Sequence, residues 1–186
     1  MKISLLVFLS VIATFTSCKE RRVAPHEDIP RLQERFQGAY KIVSSTSNEA
    51  VDINKDGQAS TDLLKEIDLL SNAELLLRIP ANPNEKGSSF LFTQFWQQQL
   101  LVTVNTTDTI STYALQGTVR NFNFSPSLDA LLIAPDGHQV DLQRFPFPDE
   151  VTIGSNDQIK VVMQKRLYTS KGWKPLTITT WYQRYN

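Results

Sequence analysis

The stretch of the sequence with the most evident chemistry is V-D-I-N-K-D-G-Q-A-S-T-D, residues 51–62. It places oxygen-bearing side chains at alternate positions before a glycine, which is the ligand order of an EF-hand calcium loop. In that loop positions 1, 3 and 5 ligate through side chains, position 7 through its backbone carbonyl, and position 9 often through water. The candidate ligands in this stretch are Asp52, Asn54, Asp56, Gln58, Ser60 and Asp62.

The loop lacks one ligand of the full scheme. Position 12 should be a bidentate acid, and it is Leu63 here. Asp62 lies one place early, and Glu66 lies one helical turn later, so either could turn back to complete the shell. The sequence therefore predicts a structural Ca²⁺ site of the weak extracellular class, with a Kd of about 10⁻⁴ to 10⁻³ M.

A polar turn without metal explains the same residues. Asp56-Gly57 is a favourable turn pair. Ser60 or Thr61 could cap a following helix, and Asp62 would stabilise the positive end of its dipole. Both interpretations stay open at the level of sequence.

Little else in the sequence points to catalysis. The two histidines, His26 and His138, have no evident hydroxyl and carboxylate partners, and Cys18 is the only cysteine. There is no Gly-x-Ser-x-Gly, no His-Glu-x-x-His and no glycine-rich phosphate loop. We therefore expect a protein that is not an enzyme.

The first residues read as an export signal. Lys2 precedes an apolar run, residues 3–13, which is too short for the ~20 residues of a membrane span. The run leads to Ser17-Cys18, which resembles the lipobox of bacterial lipoproteins, with Phe15 at the usual aliphatic place. The resemblance implies cleavage after residue 17, acylation of Cys18 and a lipid anchor in the bacterial outer membrane or at the cell surface. The alternative is an ordinary signal peptide followed by an incidental thiol.

The charge of the chain indicates which partners to expect, and its length indicates how many domains to expect. The sequence has 19 basic and 19 acidic residues, and removal of residues 1–17 takes away only Lys2, leaving a formal charge of −1. Such a balance predicts no nucleic-acid partner. We expect a lipidated tether over residues 18–30, which has proline at two places, and a single domain over residues 31–186.

The elements that must hold the loop are mainly β-strands. β-Branched and aromatic residues gather in short runs separated by turn residues, with no alternation of strands and helices. This predicts an antiparallel up-and-down meander that forms a barrel or a flattened sandwich, with a short helix over residues 61–70 after the first strand. The predicted strands are 39–45, 74–79, 89–97, 100–105, 109–120, 130–134, 139–144, 158–168 and 175–185.

Two segments resemble lipocalin-like domain lipoproteins of Gram-negative bacteria. Gly38-Ala39-Tyr40 is similar to the Gly-x-Trp first strand of that family, and residues 51–66 are similar to its V-D-L-N-x-D-G-x-x-S-T-D-L-L segment. The resemblance implies an exported, anchored barrel.

Two functions remain for such a domain. Aromatic residues alternate at 90/92, 122/124 and 145/147, which places each pair on one face of a strand. These rings could fill a core, or they could line a pocket for a small hydrophobic or amphipathic ligand or stack on a sugar. The first function is therefore a membrane-anchored binding module. The second is a structural or interaction lipoprotein of the envelope, which has a filled barrel and contacts its partners through its outer surface.

Overall fold

The structure is a computed structural model that describes residues 29–83, 85–104, 108–135 and 146–185. The predicted signal peptide, Cys18, most of the tether and both histidines lie outside these ranges. The predicted strand 139–144 also falls outside them.

Antiparallel strands dominate the described residues, and two short helices accompany them. In chain order the elements are α1 (Ile29–Phe36), β1 (Gly38–Val51), β2 (Ser60–Asp62), α2 (Leu63–Glu66), β3 (Glu74–Arg78), β4 (Leu91–Val104), β5 (Asp108–Phe124), β6 (Leu131–Ile133), β7 (Pro148–Ile153), β8 (Ile159–Thr169) and β9 (Gly172–Arg184).

The strands form one curved sheet that is nearly closed into a barrel. The order around it is β6-β5-β4-β3-β1-β9-β8-β7, and β2 pairs with β1 beside this path. The two ends of the order meet where Ala130 and Thr152 form a bridge, and the amide of Ile153 donates to the carbonyl of Asp129 over 2.7 Å. The predicted mainly β, antiparallel fold is confirmed, in its barrel form.

Large side chains fill the interior. On β8 every second residue from Ile159 to Leu167 is buried, as the two-residue period of a strand requires. The largest buried side chains are Tyr40, Tyr182, Phe36, Phe92 and Phe122.

Helix α1 covers one end of this interior. Its Leu32 and Phe36 are buried, and the ring of Phe36 lies 4.9 Å from that of Phe124. The hydroxyl of Tyr40 donates to the carbonyl of Phe36 over 2.7 Å, which ties the end of the helix to β1. The helix includes Ile29 and Pro30, so the folded part reaches two residues into the predicted tether.

Three predicted elements differ from the observed ones. The helix predicted over residues 61–70 spans only Leu63–Glu66, because the chain is extended at Ile67 and Leu69 takes a left-handed conformation with φ of 56°. The two predicted strands 89–97 and 100–105 are replaced by one strand, β4, which runs from Leu91 to Val104, so the glutamines within it do not form a turn. Strand β7 was not predicted, since Pro148-Asp149-Glu150 looks like a loop, yet a strand with one paired edge tolerates proline.

Candidate functional site

The polar loop between β1 and β2 is built from short-range hydrogen bonds. The amide of Asp56 donates to Oδ1 of Asn54 over 3.0 Å, and the amide of Gln58 donates to Oδ1 of Asp56 over 2.7 Å. Lys55 and Gly57 take positive φ angles of 62° and 86°, which turns the chain between these bonds. The glycine suits its place because a side chain there would be strained.

The end of the loop forms the start of α2. The amide of Asp62 donates to Oγ of Ser60 over 3.0 Å, and the amide of Leu64 donates to Oδ1 of Asp62 over 3.1 Å. Asp62 is therefore the helix cap, a role that the sequence assigns to Ser60 or Thr61 in the polar-turn interpretation. Every one of these acceptor oxygens keeps further lone pairs, so the turn bonds do not prevent coordination.

Glu66, one of the two acids that the sequence offers to complete the shell, turns back into the loop. Its side chain is only 2% exposed, and Oε2 accepts from the amides of Ile53 over 2.8 Å and Asn54 over 3.4 Å. The amide of Ile53 is buried and needs an acceptor, so the carboxylate has a structural role of its own. Glu66 thus joins α2 to the beginning of the loop.

Asp52 holds the first ligand position. Its carbonyl accepts from the amide of Ser170 over 2.8 Å, which ties the loop to the β8–β9 turn. Its Oδ1 is buried and has no hydrogen-bond partner within the described part of the chain. No group of three or more acidic, histidine or cysteine side chains that could hold a metal occurs among the described residues.

A second polar region lies inside the barrel wall. The glutamine cleft, as we name it, is a partly open cleft of about 20 Å³ between β4, β5 and β8. Side chains from all three strands line it, among them Gln94, Trp96, Gln98, Gln116, Met163 and Lys165.

Some polar groups of the glutamine cleft pair with one another. Nζ of Lys165, a residue only 5% exposed, donates to Oε1 of Gln98 over 2.9 Å. Nε2 of Gln94 donates to the hydroxyl of Tyr182 over 3.1 Å. Burial raises the pKa of Tyr182 strongly, since the phenolate would lie in an apolar interior.

Two other polar atoms of residues in the glutamine cleft do not pair in this way. Nε1 of Trp96 and Oε1 of Gln116 are buried and have no hydrogen-bond partner in the described structure. The two residues are directly opposite each other in the β4–β5 ladder, and both line the cleft. Sequence reasoning missed this pair because only the register of β4 against β5 brings it together.

The outer wall of the same strands carries several exposed apolar side chains. Val119 is 57% and Leu115 is 50% exposed on β5, and Leu132 of β6 is 53% exposed. Phe95 of β4 is the ladder partner of Gly117, and a Cβ at that glycine would lie 2.8 Å from the ring. We name Phe95, Leu115 and Val119, which lie around Gly117, the outer apolar face.

Comparisons of the chain with protein-family models, curated proteins and solved structures give no match. Within the described residues no helix is both long enough and apolar enough to span a bilayer.

Proposed function

We propose that the chain is an exported lipoprotein, anchored through acylated Cys18 in the bacterial outer membrane or at the cell surface, with a filled lipocalin-like domain that acts without catalysis. Its role is that of a structural or interaction module that contacts other envelope components through its outer surface. The lipobox-like start supports acylation of Cys18. The acyl chains would anchor the domain because each buried methylene contributes ~0.8 kcal/mol to membrane binding.

The filled interior is the observation that carries this proposal. Small-molecule pockets commonly enclose about 300 to 1,000 Å³. The glutamine cleft encloses about 20 Å³, and the barrel interior is occupied by rings such as Tyr40, Phe92 and Tyr182. A carrier of a hydrophobic or amphipathic ligand, the other predicted function, would need space that these side chains occupy.

The outer apolar face supports an interaction role. Leu115, Gly117 and Val119 follow one another at alternate positions of β5, so they share the face that points away from the core. Contiguous exposed apolar residues on a protein surface are typical of contact sites. We therefore assign the contact with envelope components to this face.

A single substitution tests that assignment. Val119→Lys places a charge on the outer apolar face, and Gln164→Lys places the same charge at an exposed position of β8 as the control. Both are surface changes, so we expect shifts in the free energy of unfolding within about 0.5 kcal/mol.

The readout is the size of the complex that the tagged full chain forms in membranes of its own bacterium, measured by blue native electrophoresis. We expect the wild type and Gln164→Lys to migrate in a complex, and Val119→Lys to migrate at the mass of the free protein. A Val119→Lys variant that remains in the complex, or a wild type found only as free protein, would contradict the assignment.

We also propose that the polar loop holds a structural Ca²⁺. The residues that would hold it are Asp52, Asn54, Asp56 and Gln58, with Ser60, Asp62 or Glu66 completing the shell. The buried Oδ1 of Asp52, which lacks a partner among the described residues, favours this over a polar turn alone. The ion would supply charge compensation and hold the loop against α2.

A further inference from the structure

We infer that the glutamine cleft binds a hydroxyl group of a saccharide or a similar polyol. Trp96 and Gln116 both line this cleft, and Nε1 of Trp96 and Oε1 of Gln116 are buried and lack partners in the described structure. Leaving such a buried group unpaired costs roughly 1 to 3 kcal/mol. Two of them side by side therefore indicate a site where a ligand completes the hydrogen bonds.

The hydrogen-bonding capacity of the two atoms indicates which ligand group fits them. An indole N–H only donates, whereas an amide oxygen only accepts. The ligand must therefore accept one hydrogen bond and donate another at neighbouring points, which a hydroxyl group does and a carboxylate or ammonium group does not. Trp96 is 6% exposed, so its N–H is fixed in place by packing before the ligand arrives.

The rest of the lining agrees with a polyol. Gln94 and Gln98 contribute amide groups, and Met163 and Pro146 contribute apolar surface that suits the C–H groups of a sugar. None of the described lining residues is acidic, so the cleft offers no charge partner for a cationic ligand.

The volume determines how the ligand lies. About 20 Å³ is close to the ~10 to 15 Å³ that one water needs on the same measure, so the enclosed part accepts one hydroxyl group. The remainder of the molecule lies toward the open side of the cleft. We therefore expect weak binding, with a Kd on the order of 1 mM. This inference is independent of the lipid anchor and of the outer apolar face.

The test follows the indole N–H of Trp96 by NMR. The full chain, labelled with ¹⁵N at its tryptophans and held in detergent micelles, is titrated with glucose, galactose, mannose, N-acetylglucosamine and glycerol, and separately with sodium acetate. The Trp96 resonance is assigned by its loss in Trp96→Phe, and Trp173, which is 48% exposed, is an internal reference. We expect a saturable shift of Trp96 with at least one polyol and none with acetate.

Matched variants connect the shift to the cleft. Gln116→Leu removes the acceptor, and we expect it to weaken binding about tenfold, or 1.4 kcal/mol. Gln164→Leu makes the same change at an exposed position of β8 and should leave binding unchanged. If Gln116→Leu does not fold, a nuclear Overhauser effect between the Trp96 indole proton and sugar protons in the wild type gives the same information.

Three results would overturn the inference. The first is no shift of Trp96 with any polyol, with only water contacting its indole proton. The second is a shift with acetate alone. The third is a Gln116→Leu variant that folds and binds as tightly as the wild type.

Discussion

Glu66 and Asp52 have different roles in the polar loop. The backbone amides of Ile53 and Asn54 need acceptors, and Glu66 provides one from the next helix. Asp52 keeps a buried oxygen that no described group uses. The hydrogen bonds to Glu66 hold the loop together without metal. The buried oxygen of Asp52 is the atom that a cation would bind.

The residue-scale prediction for the loop concerns calcium. Calcium at about ten times its Kd should stabilise the full chain by roughly 1.4 kcal/mol, because ligand binds only the folded state. Asp52→Asn should abolish this gain, and Asp149→Asn, at an exposed position of β7, should retain it. The measurement is the thermal midpoint in millimolar calcium and after addition of a chelator. Equal midpoints for the wild type in the two conditions would leave the loop as a polar turn.

Tyr40 gives a prediction about alkaline pH. Burial raises its pKa from 10.0 to about 12, and Arg184 opposes this shift only in part. The folded state therefore holds the proton more tightly than the unfolded state, so this contribution to stability is complete below pH 10 and is lost as the pH rises toward 12. We expect a loss on the order of 1 to 2 kcal/mol over that interval.

The variant that checks this is Tyr40→Phe. It removes the hydrogen bond to Phe36, which should cost about 1 kcal/mol at neutral pH. It should also reduce the alkaline decline, to which the buried Tyr182 still contributes, as measured by urea unfolding at a series of pH values. An alkaline decline equal to that of the wild type would show that Tyr40 is not its source.

At the scale of elements, the segments with alternating burial were predictable and those governed by distant partners were not. The alternation of β8 and β9 is visible in the sequence because most residues on one face are apolar, with exceptions such as Lys165 and Thr180. The glutamines of β4 look like a turn, yet each finds a distant partner. Gln97 donates to the carbonyl of Leu69, and Gln99 bonds to the backbone of Tyr168 on β8. No local pattern reveals such pairings.

The turn before β6 is held by local hydrogen bonds, and the barrel closes where this turn meets β7. Oγ of Ser125 accepts from the amides of Asp129 and Ala130, both over 3.1 Å, and donates to Oδ1 of Asp129 over 2.6 Å. These bonds, with the hydroxyl of Ser127, lower the pKa of Asp129. The turn so formed presents Asp129 and Ala130 to β7, where the sheet closes.

The element-scale prediction concerns this closure. Ser125→Ala leaves two amides without their acceptor, so the free energy of unfolding should fall by about 1 to 3 kcal/mol. Ser127→Ala removes a hydroxyl from an exposed position of the same turn and should change it by less than about 0.5 kcal/mol. Urea unfolding of the two variants provides the comparison. Equal effects would mean that the Ser125 hydroxyl does not stabilise the closure.

At the scale of the whole molecule, fold and function were predictable to different degrees. The mainly β barrel follows from strand patterns spread along the chain, because burial of one face of each strand repeats locally. Whether the barrel is hollow depends on how rings from separate elements meet, as Phe36 of α1 and Phe90 before β4 do with Phe124 of β5, at centroid distances of 4.9 and 6.1 Å. The sequence therefore left a carrier and a filled module open, and the packed interior favours the second.

The measurement that tests the central claim most directly is native mass spectrometry of the full chain extracted from membranes of a Gram-negative host, followed by denaturation of the same sample. The account predicts a chain that begins at Cys18 and carries about two or three acyl chains, with no apolar small molecule released on denaturation. Cys18→Ala should lose the acyl mass and leave the membrane fraction. An apolar molecule released from the wild type would make the protein a carrier, and a wild type without acyl mass would contradict the anchor.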